Sequence, residues 1–450
     1  MFINKQPFHQ LWLRAITVSV MFAILLTACN STPPATPTPV PTDTPVPAKE
    51  PVIISWWSVA SEDYSDETQQ ALVKEFEAKH PNIKVDLSIL SEDEFDKAMS
   101  TALEAGQGAP DVAFYWNSNW YPQALDLSEL IRRDNFDITM YIPGFWQTRA
   151  LWQDKIIGLP LGVGANFVMY NKSMFDKAGV LYPTESWTTE DWLKTVKQFH
   201  DPKRQQWGGD LPRGPYRAIW FNYGARSYSE DSKTVAGYLN GAESVAAYTW
   251  LWDLVETDST PTLKEMADSG NMNTGPVGLF LQQKLAMATL NQSHMIAAMK
   301  AKIDFGIVPE PQVENNPRYV NAWSLTASIW GKTAHPDEAW TFLKWWAGPE
   351  GQLFLMQHGN FFPSIPKVLS QYQDSDKAYA IAFSKILQLY QVAEWQNTHP
   401  CGSAVLREAK PLWDKILNRQ IKREEIQGDL DAIVPSAQKV LDECRAKLGG

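Results

Sequence analysis

The first part of the globular chain alternates between short apolar runs and segments with a helical hydrophobic period. PVIISWW and DVAFYW are rich in β-branched and aromatic residues, and IKVDLSIL alternates between apolar and polar positions as a strand does. Between these runs, DETQQALVKEFEAKHP places Leu72, Val73 and Phe76 on one helical face, and EDEFDKAMSTALEAGQG is a helix that ends in glycines. This order of strand, helix, strand, helix and strand predicts a parallel sheet with helices on its faces.

The later residues continue with mixed strand and helix patterns and end in helices. DKIIGLPLGVGANFVMYNKSMFDKAGV predicts an extended run that enters a helix near Ser173, and Thr188 with Asp191 forms a capping-box pattern. GPYRAIWFNYGARSY is typical of a helix that ends in a glycine turn, and the region containing KLAMATL and FGIVPEP predicts helix, strand, helix and strand. After the extended run NAWSLTASIW, the pattern is nearly all helical.

Aromatic and polar side chains collect where the first strands are predicted to end. Ligands of parallel sheets bind beyond the carboxyl ends of the strands. Those ends carry Trp57 and Ser58 after the first strand, and Trp116, Asn117 and Trp120 after the third. Aromatic rings cover the apolar side of a sugar ring, and amides and hydroxyls bond its hydroxyl groups. This set favours a neutral polyol, whereas a phosphate would need several cations and a polyamine would need carboxylates paired with aromatics.

Length and charge limit the class of protein. With 450 residues, the chain is too long for one compact core, and two lobes are expected. The formal net charge of −11 makes nucleic acid or anionic lipid a poor partner.

The N-terminal residues have the pattern of an export signal with a lipidation site. Residues 1–14 carry only positive charge, and residues 15–28 are uncharged, mostly apolar and too short to span a membrane. Leu26-Thr27-Ala28-Cys29 resembles the bacterial lipobox, which implies a signal peptide over residues 1–28 and a diacylglyceryl anchor on Cys29. An ordinary signal peptide with a chance cysteine is the alternative. The Pro- and Thr-rich remainder of residues 29–50 predicts an extended leash.

Two further cysteines, Cys401 and Cys444, occur in the C-terminal quarter of the chain. Outside the cytoplasm an even pair favours a disulfide, and two unpaired buried thiols are the alternative.

Eight motifs follow one another between residues 51 and 352, in a match that spans nearly all of residues 52–450: PVIISWWSVASEDY, LVKEFEAKHPNIKVDL, GQGAPDVAFYW, GLPLGVGANFVMYNKSMFDKAGV, SWTTEDWLKTVKQF, KLAMATL, FGIVPEPQ and HPDEAWTFLKWWAGPEGQ. Together they resemble the family-1 extracellular solute-binding proteins, the substrate receptors of bacterial ABC importers. The resemblance implies an α/β, two-lobed periplasmic-binding-protein fold. Each lobe would be a mostly parallel sheet flanked by helices, and a hinge of crossing strands would leave the ligand in the cleft between the lobes. It implies an N-terminal lobe of residues 51–160 plus 284–323 and a C-terminal lobe of residues 161–283 plus 324–450.

The resemblance also implies a second wall for the ligand site. Asn166 would lie on the first crossing strand, Trp220 and Tyr223 would end a helix of the second lobe, and Trp323 would precede the return crossing. After KLAMATL, where the family often has a glycine and a nearby tryptophan, this chain has Asn291 and His294, which supply polar groups instead. At least three of the tryptophans are expected to line the cleft. The predicted ligand-binding residues are Trp57, Ser58, Trp116, Asn117, Trp120, Asn166, Trp220, Tyr223, Asn291, His294 and Trp323.

The predicted function is extracytoplasmic capture of a mono- or oligosaccharide, with hinge closure and delivery to an ABC importer. The alternatives are the same role for a polyol phosphate or a polyamine, and a secreted carbohydrate-active hydrolase. The sequence has no GxSxG elbow, no HExxH and no metal-ligand spacing, so no catalytic residue, metal or cofactor is predicted. The GVG at Gly162 to Gly164 lacks the third glycine of a dinucleotide fingerprint and is interpreted as a strand-end turn. We expect a monomer that is lipid-anchored to the bacterial cell membrane and contacts permease subunits, with no nucleic-acid partner.

Cys29→Ser removes the predicted lipid attachment site. We expect an uncleaved precursor or a shed soluble protein, because no later apolar run of the sequence approaches membrane-spanning length. The measurement is detergent-phase partitioning together with incorporation of radiolabelled palmitate, and Ser31→Ala is the control that should keep both. Correctly processed Cys29→Ser protein that still partitions with lipid would show that the lipoprotein interpretation is wrong.

Overall fold

The computed structural model describes residues 50–59, 64–142, 150–211, 218–268, 275–358, 362–371, 378–389, 391–392 and 401–447. The predicted signal peptide, Cys29 and nearly all of the leash lie outside these residues. Within them, the structure contains no helix with the length and hydrophobicity needed to cross a membrane.

The strands of the described residues are β1 (Val52–Val59), β2 (Ile83–Leu90), β3 (Val112–Phe114), β4 (Leu151–Trp152), β5 (Lys155–Ile156), β6 (Leu159–Ala165), β7 (Phe167–Asn171), β8 (Met287–Leu290), β9 (Phe305–Val308), β10 (Tyr319–Val320), β11 (Ala322–Ile329) and β12 (Gln391–Val392).

The α-helices of the described residues are Asp66–Lys79, Glu92–Ala105, Ser128–Arg133, Lys172–Ala178, Thr189–Val196, Ala218–Asn222, Ala242–Glu256, Leu263–Asp268, Gly275–Leu281, Gln292–Lys300, Pro336–Ala347, Pro349–His358, Pro366–Leu369, Ala378–Leu389, Gly402–Arg407, Lys410–Leu417 and Ile426–Lys447. Short 3-10 helices cover Ser118–Gln123, Ile138–Met140, Lys197–Phe199 and Arg423–Glu425.

A five-stranded sheet in the order β2-β1-β3-β11-β6 organises the first lobe. Strand β1 runs parallel to β2 and β3, and β11 runs antiparallel to β3 and β6. The helix Glu92–Ala105 starts at a capping box formed by Ser91 and Glu94 and ends at Gly106, whose φ of 66° suits a glycine. Buried aromatic rings form part of the core that packs on this sheet, and the ring centroids of Trp56 and Trp346 are 4.7 Å apart.

A three-stranded sheet in the order β8-β7-β9 organises the second lobe. Both pairings with the central strand β7 are antiparallel. The helix Thr189–Val196 of this lobe begins at the predicted capping box, in which Thr188 Oγ1 and the Asp191 carboxylate bond each other's backbone N–H groups. A second core of buried side chains surrounds this sheet and includes Phe175, Trp192 and Trp250.

The two-lobed α/β fold is confirmed, but strand direction in the second sheet differs from the prediction. The helix Gln292–Lys300 connects β8 to β9, as the hydrophobic pattern predicted. These two strands are parallel to each other, but β7 lies between them and runs the opposite way. The sequence pattern identifies a strand–helix–strand unit, yet it does not show that a third strand is inserted in the middle.

The predicted lobe boundaries need correction at two places. Residues 284–323 were assigned to the N-terminal lobe, whereas β8 and β9 within them pair with β7 in the second sheet. Strand β11 was assigned largely to the C-terminal lobe, but it pairs with β3 and β6 in the first sheet. Hydrophobic periodicity predicts that a segment is a strand, whereas its partner depends on residues far away in the sequence.

In the part of the chain that the structure describes, three places connect one sheet or its core with the other. At the first crossing, β6 and β7 are separated only by Asn166, and at the second crossing Asn321 separates β10 from β11. The Asn166 N–H donates to the Asn321 carbonyl at 2.9 Å, so these two crossings are hydrogen-bonded to each other. The third crossing leads from the helix Pro349–His358, which contributes Leu355 to the first core and Met356 to the second, to Phe362 and Ile365 in the second core. This third crossing was not predicted.

The C-terminal helices pack on the second core and carry a disulfide. Cys401 is fully buried at the start of the helix Gly402–Arg407, and it is bonded to Cys444 in the helix Ile426–Lys447. The predicted pairing is therefore confirmed, and it closes a loop with a sequence separation of 43 residues.

Replacing both Cys401 and Cys444 with serine should lower the free energy of unfolding by about 4 kcal/mol, because the open loop restores entropy to the unfolded chain. Denaturant titration of the variant and the wild type measures this difference. Ligand affinity should stay the same, since the bond lies within the second lobe. A variant with unchanged stability would contradict the assigned structural role.

Candidate ligand-binding site

The first crossing contains a buried amide nitrogen that has no hydrogen-bond partner among the described residues. Asn166 is 5% exposed, and its Nδ2 group has no hydrogen-bond partner among the described residues. A buried donor that lacks a partner costs about 1–3 kcal/mol, so such groups in native structures call for an explanation. A ligand hydroxyl at the crossing would satisfy this donor.

A tryptophan lies flat against the backbone beside this amide. Trp323 on β11 is paired with Gly164 on β6, and a Cβ at position 164 would lie 2.2 Å from Cε2 of the indole ring. Only glycine therefore leaves room for the ring in this position. Trp323 is half-buried but is not among the side chains packed on either core. The indole is held over Gly164 by close contact on one side, which suits an aromatic platform.

The GVG motif was interpreted as a strand-end turn, but β6 continues to Ala165 and contains both glycines. The motif does not form a turn because Gly164 accommodates the Trp323 ring of the neighbouring strand β11 and does not reverse the chain. The sequence signal was present as a glycine opposite an aromatic residue, but only the strand register identifies the pair.

The strand register also brings two predicted residues to the same edge of the second sheet. Leu290 on β8 pairs with Phe167 on β7, so the next residues along this ladder are Asn291 and Asn166. Asn291 and His294 form a reciprocal cap at the start of the helix Gln292–Lys300, in which Asn291 Oδ1 accepts from the His294 N–H at 3.3 Å. The polar residues that replace the expected glycine and tryptophan therefore organise the helix start beside the crossing.

Trp57 and Ser58 were predicted to follow the first strand, but β1 extends to Val59 and includes both residues. Trp57 is half-buried against the first core. Ser58 is fully buried, and its Oγ has no hydrogen-bond partner among the described residues. The Ser58 hydroxyl, one residue before the end of β1, therefore has no hydrogen-bond partner among the described residues.

Trp116, Asn117 and Trp120 follow β3 as predicted, and contacts within the first lobe hold all three. Trp116 Nε1 donates to Asp96 at 2.7 Å, and Trp120 Nε1 donates to Ser100 at 3.2 Å. Both indoles thus pack on the helix Glu92–Ala105. Asn117 Oδ1 accepts from the Asn119 N–H at 3.1 Å and caps a 3-10 helix. The Trp120 ring is buried, so its packing accounts for its position.

Trp220 and Tyr223 lie at the helix Ala218–Asn222 and face different surroundings. Trp220 is 3% exposed, and its Nε1 has no partner among the described residues. Tyr223 donates to Thr189 Oγ1 at 3.4 Å, and burial raises the pKa of its phenol to about 12.

Tyr223 lines a cavity of about 610 Å³, whose walls include Trp250 and the ion pair of Asp253 with Arg423. All of the residues that line this cavity belong to the second lobe. The neighbouring Asn222 accepts from the Tyr319 N–H, shortly before the second crossing.

The described residues thus bring together Asn166, Asn291 and Trp323, and they add Gly164 and Asn321, which the sequence did not predict. The lobes, the three crossings and the unpaired amide define a protein that holds a small molecule between two domains. The sequence profile of bacterial extracellular solute-binding proteins matches residues 61–353, well over half of the chain. The chain therefore belongs to this family.

Relatives with known names and structures agree with this assignment. The chain is 23% identical over 340 residues to the multiple sugar-binding protein of Streptococcus mutans, which covers 72% of this chain and 75% of the relative. It is 20% identical over 317 residues to the melibiose/raffinose/stachyose-binding protein MelE of Bacillus subtilis, which covers 65% of this chain and 70% of the relative.

Solved structures share the fold. The ABC substrate-binding protein Lmo0181 from Listeria monocytogenes, in complex with cycloalternan, superposes with a TM-score of 0.72 at 20% identity and covers 86% of this chain and 99% of its own. A solute-binding protein from Thermotoga lettingae bound with α-D-tagatose has a TM-score of 0.69 at 17% identity, with 87% and 100% covered.

Gly164→Ala should displace the Trp323 ring, because the added Cβ would overlap it. In protein labelled with 5-fluorotryptophan, we expect the ¹⁹F resonance of Trp323, assigned with Trp323→Phe, to shift. Gly306→Ala is a matched control, since a Cβ there would lie 2.2 Å from the Tyr170 ring in the second sheet. Both variants should lose about 1–3 kcal/mol of stability by overpacking, but only the first should move the Trp323 resonance. An unchanged resonance in Gly164→Ala would disprove the contact.

Proposed function

We propose that the protein captures a neutral sugar, a mono- or oligosaccharide, in the cleft between its lobes and delivers it to an ABC importer. The observation that carries this proposal is the Trp323 ring held over Gly164, two residues before the unpaired amide of Asn166. Residues two positions apart along an extended strand, such as Gly164 and Asn166, face the same side of the sheet. The Trp323 ring lies over Gly164, so the ring and the Asn166 amide serve one ligand.

The chemistry of these groups suits a sugar. One side of a sugar ring is apolar and packs against an aromatic face, while its hydroxyl groups accept from amide donors such as Asn166 Nδ2. The predicted residues that the structure brings to the crossing, Asn166, Asn291 and Trp323, have neutral side chains, and a buried carboxylate, Glu310, follows β9 at the same edge of the second sheet. A polyol phosphate would be better served by arginine or lysine side chains, and a polyamine by carboxylates. The named relatives that bind sugars support the same class of ligand.

Binding to both lobes explains how the ligand is held. A sugar that touches residues of the first sheet and of the second sheet makes all of its contacts only when the lobes close. The ligand therefore shifts the population toward the closed arrangement, and the motion is a hinge at the crossings.

The proposal includes attachment to the outer face of the cell membrane through a lipid on Cys29. The charged start, the apolar run and the lipobox-like residues before Cys29 support it, and the leash would let the lobes reach a permease. The family is one of solute-binding proteins, and we propose a monomeric binding protein without enzymatic activity.

A thermal-shift screen of the processed protein tests the function. Monosaccharides and α-linked di- and trisaccharides form the main panel, and glycerol 3-phosphate and spermidine represent the alternative classes. A sugar at 100 times its Kd should add about 2.7 kcal/mol to the free energy of unfolding, because it binds only the folded state. Stabilisation by the phosphate or the polyamine alone would overturn the sugar assignment.

Trp323→Ala should weaken binding of the sugar found in that screen by a few kcal/mol, the usual effect of removing a buried aromatic contact at a binding site. Isothermal titration measures the affinity. The control is Trp252→Ala, which removes a half-buried indole that donates to the Ile421 carbonyl within the second lobe. The control should lower stability and keep affinity. Equal affinities of Trp323→Ala and the wild type would mean that the platform has been misplaced.

A further inference from the structure

A buried glutamine lies where the first and third crossings meet. Gln352, in the helix Pro349–His358, is 1% exposed. Its Nε2 group donates to the Ala347 carbonyl and to Ser364 Oγ, each at 2.7 Å, and lies 2.9 Å from the Pro160 carbonyl. Its Oε1 atom accepts from the Ile365 N–H at 3.2 Å. The whole amide is therefore used, and no water is needed to satisfy it.

These bonds join segments that contribute side chains to both hydrophobic cores. Pro160 lies on β6 of the first sheet, and Ala347 ends a helix of the first core. Ser364 and Ile365 belong to the third crossing, and Ile365 is part of the second core. Ser364 Oγ also donates to the Pro160 carbonyl at 3.0 Å, so the serine relays the glutamine amide to β6.

Backbone contacts place the third crossing directly alongside β6. The Val163 N–H donates to the Phe362 carbonyl at 2.9 Å, and Gly162 forms an isolated β-bridge with Pro363. The Ile142 N–H donates to the Ser364 carbonyl at 2.8 Å. A proline cannot donate to a ladder, so residues 362–365 offer β6 few backbone bonds. The side-chain amide of Gln352 supplies the bonds that the short ladder lacks.

We propose that Gln352 is a positioning residue for lobe closure. This role rests on the proposed function, in which the lobes close around a ligand. By holding the third crossing against β6, it makes the crossings bend as one unit, so the lobes rotate about a single axis. Without it, residues 362–365 can separate from β6, and the lobes sample additional orientations in which the two walls do not face the ligand. The fraction of binding-competent protein then falls, and the apparent Kd rises by the same factor.

Gln352→Met tests this proposal, because methionine is similar in size and has no amide. The control is Gln438→Met, since Gln438 bridges the Lys233 carbonyl and the Val235 N–H, each at 2.8 Å, within the second lobe. Ser364→Ala is a milder variant that removes only the relay and is used if Gln352→Met does not fold.

The primary readout needs no ligand. Spin labels are attached to the exposed positions Lys97→Cys in the first lobe and Lys177→Cys in the second, and pulsed dipolar spectroscopy gives the distribution of distances between them. Gln352→Met, or Ser364→Ala in its place, should broaden the distribution, whereas Gln438→Met should keep the wild-type width. A wild-type distribution in the Gln352 and Ser364 variants would overturn the proposal.

The secondary readout is the Kd of the sugar identified by the screen. We expect about a tenfold increase for Gln352→Met, within the usual range of conformational coupling, and no change for Gln438→Met. An unchanged Kd for Gln352→Met would also overturn the proposal. If the wild type binds no sugar, the proposed function fails, while the distance distribution still decides the role of Gln352.

Discussion

The backbone hydrogen bond from the Asn166 N–H to the Asn321 carbonyl joins the two residues at which the chain leaves one sheet for the other. Buried backbone groups must be paired, and at these positions the regular ladders end. With one residue between β6 and β7, neither lobe can move away from the other, and only rotation at the crossing is left. The hinge motion and the ligand site that we propose both depend on this short connection.

A glycine next to this bond determines where the Trp323 ring lies. Any side chain at Gly164 would occupy the space of the Trp323 indole, so the platform exists because position 164 has no Cβ. The same arrangement recurs in the second sheet, where Tyr170 covers Gly306. There the tyrosine is buried in the core and packs on Phe175, so the motif serves packing. The two sites differ in exposure, since Trp323 is half-buried and Tyr170 is buried, and this difference is the reason for proposing Trp323 as a ligand contact.

Residue type alone does not distinguish the core tryptophans of this chain from those near the crossing. Trp116 and Trp120 follow a strand, as cleft residues do, yet their indole N–H groups are bonded to the adjacent helix. Trp56 lies next to the predicted site residue Trp57 and is fully buried against Trp346. Tryptophans that serve the core and tryptophans near the crossing share the same local sequence context, because both need apolar neighbours. Hydrogen-bond partners and packing distinguish them.

The sequence by itself determined the order of strands and helices, the cap at Thr188, and the resemblance to the family. These features depend on hydrophobic period and on polar groups three residues apart, which are local properties of the chain. Only the tertiary structure decided which strands pair, where residues 284–323 belong, that a third crossing exists, and that Cys401 and Cys444 are bonded. Pairing of β11 with β6 joins residues more than 150 positions apart, and no local pattern specifies such a partner. For the same reason, only the folded structure shows that Asn166 Nδ2 has no hydrogen-bond partner among the described residues.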